Sequence, residues 1–218
     1  MIPIRDLNPH RSFPIVNLSI IVLCSAVWLY EASLSEYELN LFVYDYGLVP
    51  SGVFERPISI LSHMFLHGSW LHIIGNMWFL WVFGDNVEDR MGRLKYLLFY
   101  ILSGFGAALL QMFVSFLFGG EDVPMVGASG AISGILGAYL YMFPHARILA
   151  LVPVFFFLTF MELPALLFIG LWIIMQVING LLTLPLAHMG GVAWFAHIGG
   201  FVVGYWLARF FYKRGRFM

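Results

Sequence analysis

Four side chains in an otherwise apolar sequence are of the types that together could break an acyl bond. Ser129 stands in Gly127-Ala128-Ser129-Gly130 at the head of an apolar run, which puts a hydroxyl in the first turn of a helix. His197 closes the string Val192-Ala193-Trp194-Phe195-Ala196-His197, just over one turn into another such run. His72 and Asn76 are four residues apart in Trp70-Leu71-His72-Ile73-Ile74-Gly75-Asn76, so a helix presents both on one face. A serine hydroxyl is a weak nucleophile until a neighbouring base takes its proton, and an imidazole accepts and returns a proton near neutrality. The oxyanion of the tetrahedral intermediate needs donors already aimed at it. The Ser129 backbone N–H at a helix start, the Asn76 amide and His72 are groups of that kind. No carboxylate lies near His197 in any apolar run, so the pattern implies a dyad without the third member of the usual triad.

The elements that must position these groups are membrane helices. Of 218 residues 61% are hydrophobic and only 11% charged, with mean hydropathy +0.88. Soluble domains are nearer half apolar and a quarter charged, so the solvent for the excess apolar surface is lipid. A net charge of −1 favours neither nucleic acid nor an acidic partner. The single Cys24 excludes an internal disulfide or a cysteine-rich metal site.

A hydrocarbon core of about 30 Å takes roughly 20 helical residues. Six segments qualify, at about 14–33, 70–88, 94–118, 128–143, 161–182 and 193–212. The N-terminal run lacks a small-x-small cleavage pattern and reads as a retained helix rather than a signal peptide. The stretch 146–160, between Pro144 and Pro164 and interrupted by Pro153, is expected to be an interfacial or re-entrant lead into span five. Phe155-Phe156-Phe157 would anchor it at the interface. Glu162 is expected as the N-terminal cap of that span.

Lys and Arg in the short loops set the orientation. Arg5, Arg11, Arg90, Arg93, Lys95, Arg147, Lys213, Arg214 and Arg216 mark one face, whereas residues 34–69 carry only Arg56 and residues 183–192 carry neither type. Both termini are therefore expected in the cytoplasm, with a polar segment 1–13, a six-helix core 14–212 and a basic tail 213–218 forming one all-α membrane domain. Spans two, four and six then all begin on the outer side. At about 1.5 Å per residue, Ser129, His197, His72 and Asn76 fall at one shallow depth. Span six carries Ala196, Gly200, Gly204 and Ala208 at four-residue spacing, and span four carries Gly130, Gly134, Gly137 and Ala138. Such small-residue faces let backbones approach closely, which brings His197 within reach of Ser129.

Each residue also has a plainer reading. The Gly-Ala-Ser-Gly string suits helix packing, and a lone interfacial histidine suits snorkelling. His63 and His67 are one turn apart, but no His-Glu-Xaa-Xaa-His string accompanies them, so a metal is not expected and both read as loop-packing or near-site residues. Tyr44-Asp45 and Gly84-Asp85 lie on opposite faces and do not make a carboxylate pair. It is the convergence of four polar residues on one layer that outweighs the plain readings.

The motifs match a family. Residues 45–212 resemble the rhomboid intramembrane serine proteases, on His72-Ile-Ile-Gly-Asn76, Gly127-Ala-Ser129-Gly130 and Ala196-His197-Ile-Gly-Gly200-Phe-Val-Val-Gly204 in order on the expected spans. The stretch Gly84-Asp-Asn-Val-Glu88-Asp-Arg90-Met-Gly92 looks like the family's junction after span two. The resemblance implies a Ser129–His197 dyad, His72 and Asn76 lining the oxyanion pocket, and Gly127, Gly130, Gly200 and Gly204 packing the helices around it. It implies no cofactor, and substrates that are single-span membrane proteins, cut near the outer face with small residues before the bond. The multi-pass chain is expected in the cell (inner) membrane, its partners being those substrates and the bilayer. Two positions depart from the pattern: Ile58-Ser59 stands where many relatives have Trp-Arg, and Ser133 where some have a tyrosine against the histidine. The alternative function is an inactive relative that binds membrane helices without cutting them. Span five, loosened by Pro164, and the 183–192 cap are the expected gate for substrate.

Overall fold

The computed structural model describes residues 1–9 and 11–212, so the expected basic tail at 213–218 lies outside the described residues. In chain order the elements are β1 (Ile2–Asp6), α1 (Ile15–Glu31), α2 (Glu36–Tyr46), the short α3 (Ser59–Ser62), α4 (Trp70–Met91), α5 (Arg93–Phe118) and α6 (Ser129–Met142). Then follow β2 (Arg147–Val154), β3 (Phe157–Pro164), α7 (Ala165–Thr183) and α8 (Trp194–Phe211). The architecture is mainly helical, and six of its helices coincide with the six apolar segments within a few residues. Two helical stretches, Arg93–Phe118 and Ala165–Met189, are long and apolar enough to cross a bilayer, and Ile15–Glu31 is a shorter apolar helix.

Local chemistry sets the helix boundaries. Ser35 and Glu38 form a reciprocal capping box at the start of α2. The Ser69 hydroxyl accepts the His72 N–H at the start of α4. At the α4–α5 junction Gly92 takes φ 80, a left-handed conformation that side chains disfavour. The first turn of α1 has no acidic residue of its own. Its orphan N–H groups are instead met by buried Glu88 on α4, whose carboxylate accepts from Val16 at 3.1 Å and Asn17 at 2.7 Å. The Asn17 side chain completes the junction, donating to the Leu80 carbonyl and accepting from the Tyr96 hydroxyl.

α6 is the central helix. Every residue from Gly130 to Tyr139 is buried, against α8, α5, α4 and α7. Small residues make this enclosure possible. A Cβ on Gly200 would fall inside the carbonyl of Gly130, and one on Gly204 inside the backbone of Gly134. The expected glycine faces are thus the faces that meet.

The stretch 146–160, expected as an interfacial or re-entrant lead into span five, forms most of a β-hairpin. β2 and β3 pair antiparallel in register from Arg147↔Pro164 to Val154↔Phe157, and β1 adds to the other edge of β2. Pro153 removes a donor and disfavours a helix, and the run is rich in aromatic and β-branched residues that suit strands. Glu162 therefore does not cap a helix; it sits in β3 and its carboxylate accepts from Arg147 across the hairpin at 3.1 Å. Phe155, Phe156 and Phe157 are fully displayed at the hairpin tip. The sheet is tied to the helices through Asp6, whose carboxylate accepts from Asn86 at 2.6 Å and from the Tyr139 hydroxyl at 2.8 Å.

Candidate active site

The segment before Ser129 is held by the loop between α2 and α4. Leu48 and Met125 exchange both backbone hydrogen bonds, the Ser51 N–H donates to the Glu121 carbonyl, and the Gly127 N–H donates to the His63 carbonyl at 2.8 Å. In the same loop Arg56 lies over the Tyr44 ring at 3.9 Å, which gives it a packing place although the Trp-Arg pair is missing. Gly127 has φ 126 and lies so close to His72 that a Cβ there would stand 2.7 Å from the imidazole Nε2. The chain turns at Gly127 and Ser129 becomes the first residue of α6.

From this position the Ser129 hydroxyl donates to His197 Nε2 across 2.9 Å. The other ring nitrogen, Nδ1, lies 2.8 Å from Gln176 Oε1, an atom that can only accept. Gln176 in turn donates from its NH₂ to the Trp172 carbonyl at 3.0 Å. The Trp172 and Trp194 rings flank the imidazole, each with its centroid 6.0 Å away. These three residues were not singled out from the sequence. Ser133, whose position left the packing of His197 open, turns its hydroxyl back to the Ser129 carbonyl at 2.6 Å. Beyond its bond to Ser129, the ring is thus held from α7 and from its own helix.

His72 and Asn76 line the same cavity as Ser129 and His197, about 1060 Å³ in volume. The Gly68 N–H points to His72 Nδ1 at 3.4 Å. An acceptor there leaves the proton on Nε2, the nitrogen turned toward Gly127. Asn76 Nδ2 is buried and has no hydrogen-bond partner among the described residues. A buried amide donor left unmatched costs on the order of 1–3 kcal/mol, so it is poised for an acceptor that enters the cavity. Two side chains from α4 and the N-terminus of α6 thus line one cavity.

His63 and His67 play the packing part expected of them. His63 Nδ1 bonds the Ser59 carbonyl at 2.8 Å, and His67 lies edge-on to His72 with centroids 5.2 Å apart. Burial pushes both imidazoles down to about 4, so they are neutral and add no charge beside the cavity at neutral pH.

The Rhomboid domain family model matches residues 55–214. The chain belongs to the rhomboid family. The match takes in all four candidate residues together with Gln176. Among curated proteins, the chain is 34% identical over 112 residues to the mitochondrial Rhomboid protein 1 of Saccharomyces cerevisiae, covering 51% of this chain and 32% of that protein. It is 29% identical over 136 residues to the putative rhomboid protease YdcA of Bacillus subtilis, covering 61% and 64%. It is 34% identical over 141 residues to the rhomboid protease AarA of Providencia stuartii, covering 56% and 49%. The matched region spans between about a third and a half of the length of the first relatives. As a rhomboid the chain is a membrane protein of a family that includes named proteases. Its displayed apolar side chains, such as Leu109, Phe113 and Phe116 on α5 and Leu171, Ile174 and Met175 on α7, have lipid as their natural solvent.

Proposed function

We propose that the chain is an intramembrane serine endopeptidase that cuts single-span membrane proteins near the outer face of the cell (inner) membrane. In this reading α1, α4, α5, α6, α7 and α8 are the six spans, both termini are cytoplasmic, and the cavity opens toward the outer side. The observation that carries the reading is the 2.9 Å hydrogen bond between Ser129 Oγ and His197 Nε2, set beside an unpartnered Asn76 amide in one cavity.

The chemistry follows from the geometry. Ser129 Oγ attacks the scissile carbonyl carbon while His197 Nε2 takes the hydroxyl proton. The negative charge that forms on the carbonyl oxygen is received by Asn76 Nδ2, His72 Nε2–H and the Ser129 backbone N–H. The tetrahedral intermediate collapses as Nε2–H gives its proton to the departing amine, leaving an acyl-serine. Water, activated by the same nitrogen, then releases the acid. All three donors are neutral, which suits a site where an uncompensated charge is costly.

The first test is covalent. Incubated with a fluorophosphonate, the purified protein gains one adduct on Ser129, located by peptide mass spectrometry, and His197→Ala suppresses the labelling. A folded protein that takes up no adduct favours the inactive helix binder instead.

A further inference from the structure

The active-site cavity and its oxyanion donors belong to the proposed reaction, but Gln176 does not follow from a serine–histidine dyad. It is the buried polar residue of an otherwise apolar stretch of α7, with 6% of its surface exposed, and its amide touches the imidazole on the side away from the serine.

We propose that Gln176 is a positioning residue: its Oε1 keeps the His197 proton on Nδ1, so that Nε2 faces Ser129 as an acceptor. The inference rests on the reading of His197 as the base. A neutral imidazole carries its proton on one nitrogen or the other, and only the Nδ1–H form leaves Nε2 free to take the serine proton. The two hydrogen bonds of the Gln176 amide reinforce each other. If the amide were flipped, its oxygen would face the Trp172 carbonyl oxygen, now 3.0 Å from Nδ2, and two acceptors would collide. With the amide so fixed, a proton on Nε2 would leave the Nδ1 lone pair against Oε1, again acceptor against acceptor. The Trp172 and Trp194 rings restrict the imidazole to this orientation. When the imidazole becomes charged, Oε1 strengthens its bond to Nδ1–H.

An amide does here what a carboxylate does in the usual triad, without placing a charge in an apolar span.

The test reads the tautomer directly. Protein labelled with ¹⁵N-histidine is examined by NMR at neutral pH, the His197 signals being assigned by their loss in His197→Gln. The expected wild-type spectrum has Nδ1 protonated and Nε2 bare. In Gln176→Leu the proton redistributes toward Nε2, and the rate of fluorophosphonate labelling falls roughly 10–100-fold, part of the 10²–10⁴ usually supplied by general base action. Gln176→Glu, protonated because a charge in the apolar span is costly, keeps its carbonyl oxygen toward Nδ1 and its O–H toward the Trp172 carbonyl, so it restores the Nδ1–H signal and labelling to within a few-fold. Should the leucine protein fail to fold, Gln176→Asn, one methylene too short to reach, gives the same loss. A Gln176→Leu protein with unchanged tautomer and unchanged labelling rate overturns the proposal. The spectrum is independent of turnover, so absence of labelling in the wild type counts against the protease reading while the tautomer still judges Gln176.

Discussion

At the scale of single residues, the groups that chemistry demands were readable because polar side chains are costly in apolar runs and therefore conspicuous. Ser129, His197, His72 and Asn76 were found that way and all line one cavity. Gln176 carries the same signal, a polar residue amid Trp172-Ile-Ile-Met-Gln176-Val-Ile. It went unread because its partner is 21 residues away across a loop, and no periodicity joins them. An amide is also not the carboxylate of the usual triad, so its residue type gives no cue. Asn76 offers a sharp prediction at this scale. In Asn76→Ala one oxyanion donor is lost while the Ser129–His197 bond is untouched, so kcat falls roughly 10²–10³-fold with KM nearly unchanged. A steady-state comparison on one peptide substrate checks this, and an unaltered kcat removes Asn76 from the oxyanion pocket.

At the scale of elements, the helices were legible and the sheet was not. Helix positions followed from runs of apolar residues, and the contact of α6 with α8 followed from Gly130, Gly134, Gly200 and Gly204. The β2–β3 hairpin gave no alternation of polar and apolar residues, because Ile148 and Ala150 are buried on one face while apolar Leu158, Phe160 and Met161 are displayed on β3. The other edge of β2 pairs with β1, nearly 150 residues earlier, which no local pattern reveals. The hairpin then shortens span five, so that α7 begins at Ala165 beyond Glu162. α7 also carries the gating hypothesis. Phe83 on α4 and Phe168 on α7 have centroids 6.2 Å apart, and Phe79 and Trp172, one turn along each helix from them, line the cavity. Cysteines at 79 and 172 joined by a bifunctional thiol reagent should slow cleavage of a transmembrane substrate at least tenfold relative to the same protein uncrosslinked, while fluorophosphonate labelling of Ser129 persists. Equal cleavage in both forms would place substrate admission elsewhere.

At the scale of the whole molecule, three distant parts of the chain are brought together by a helical frame fastened at polar junctions. Glu88 fastens α1 to α4, Asp6 fastens the sheet to α4 and α6, and the loop ending at Gly68 holds the segment that delivers Ser129. Of the two longest apolar helices, α7 is less enclosed than α5. The proposed cutting of a peptide bond inside a bilayer by Ser129 and His197 is tested by reconstituting the purified protein in liposomes with a single-span substrate and following the products by mass spectrometry. One cut is expected near the outer end of the substrate's span, absent in Ser129→Ala and in His197→Ala; cleavage by Ser129→Ala at the wild-type rate would overturn the mechanism.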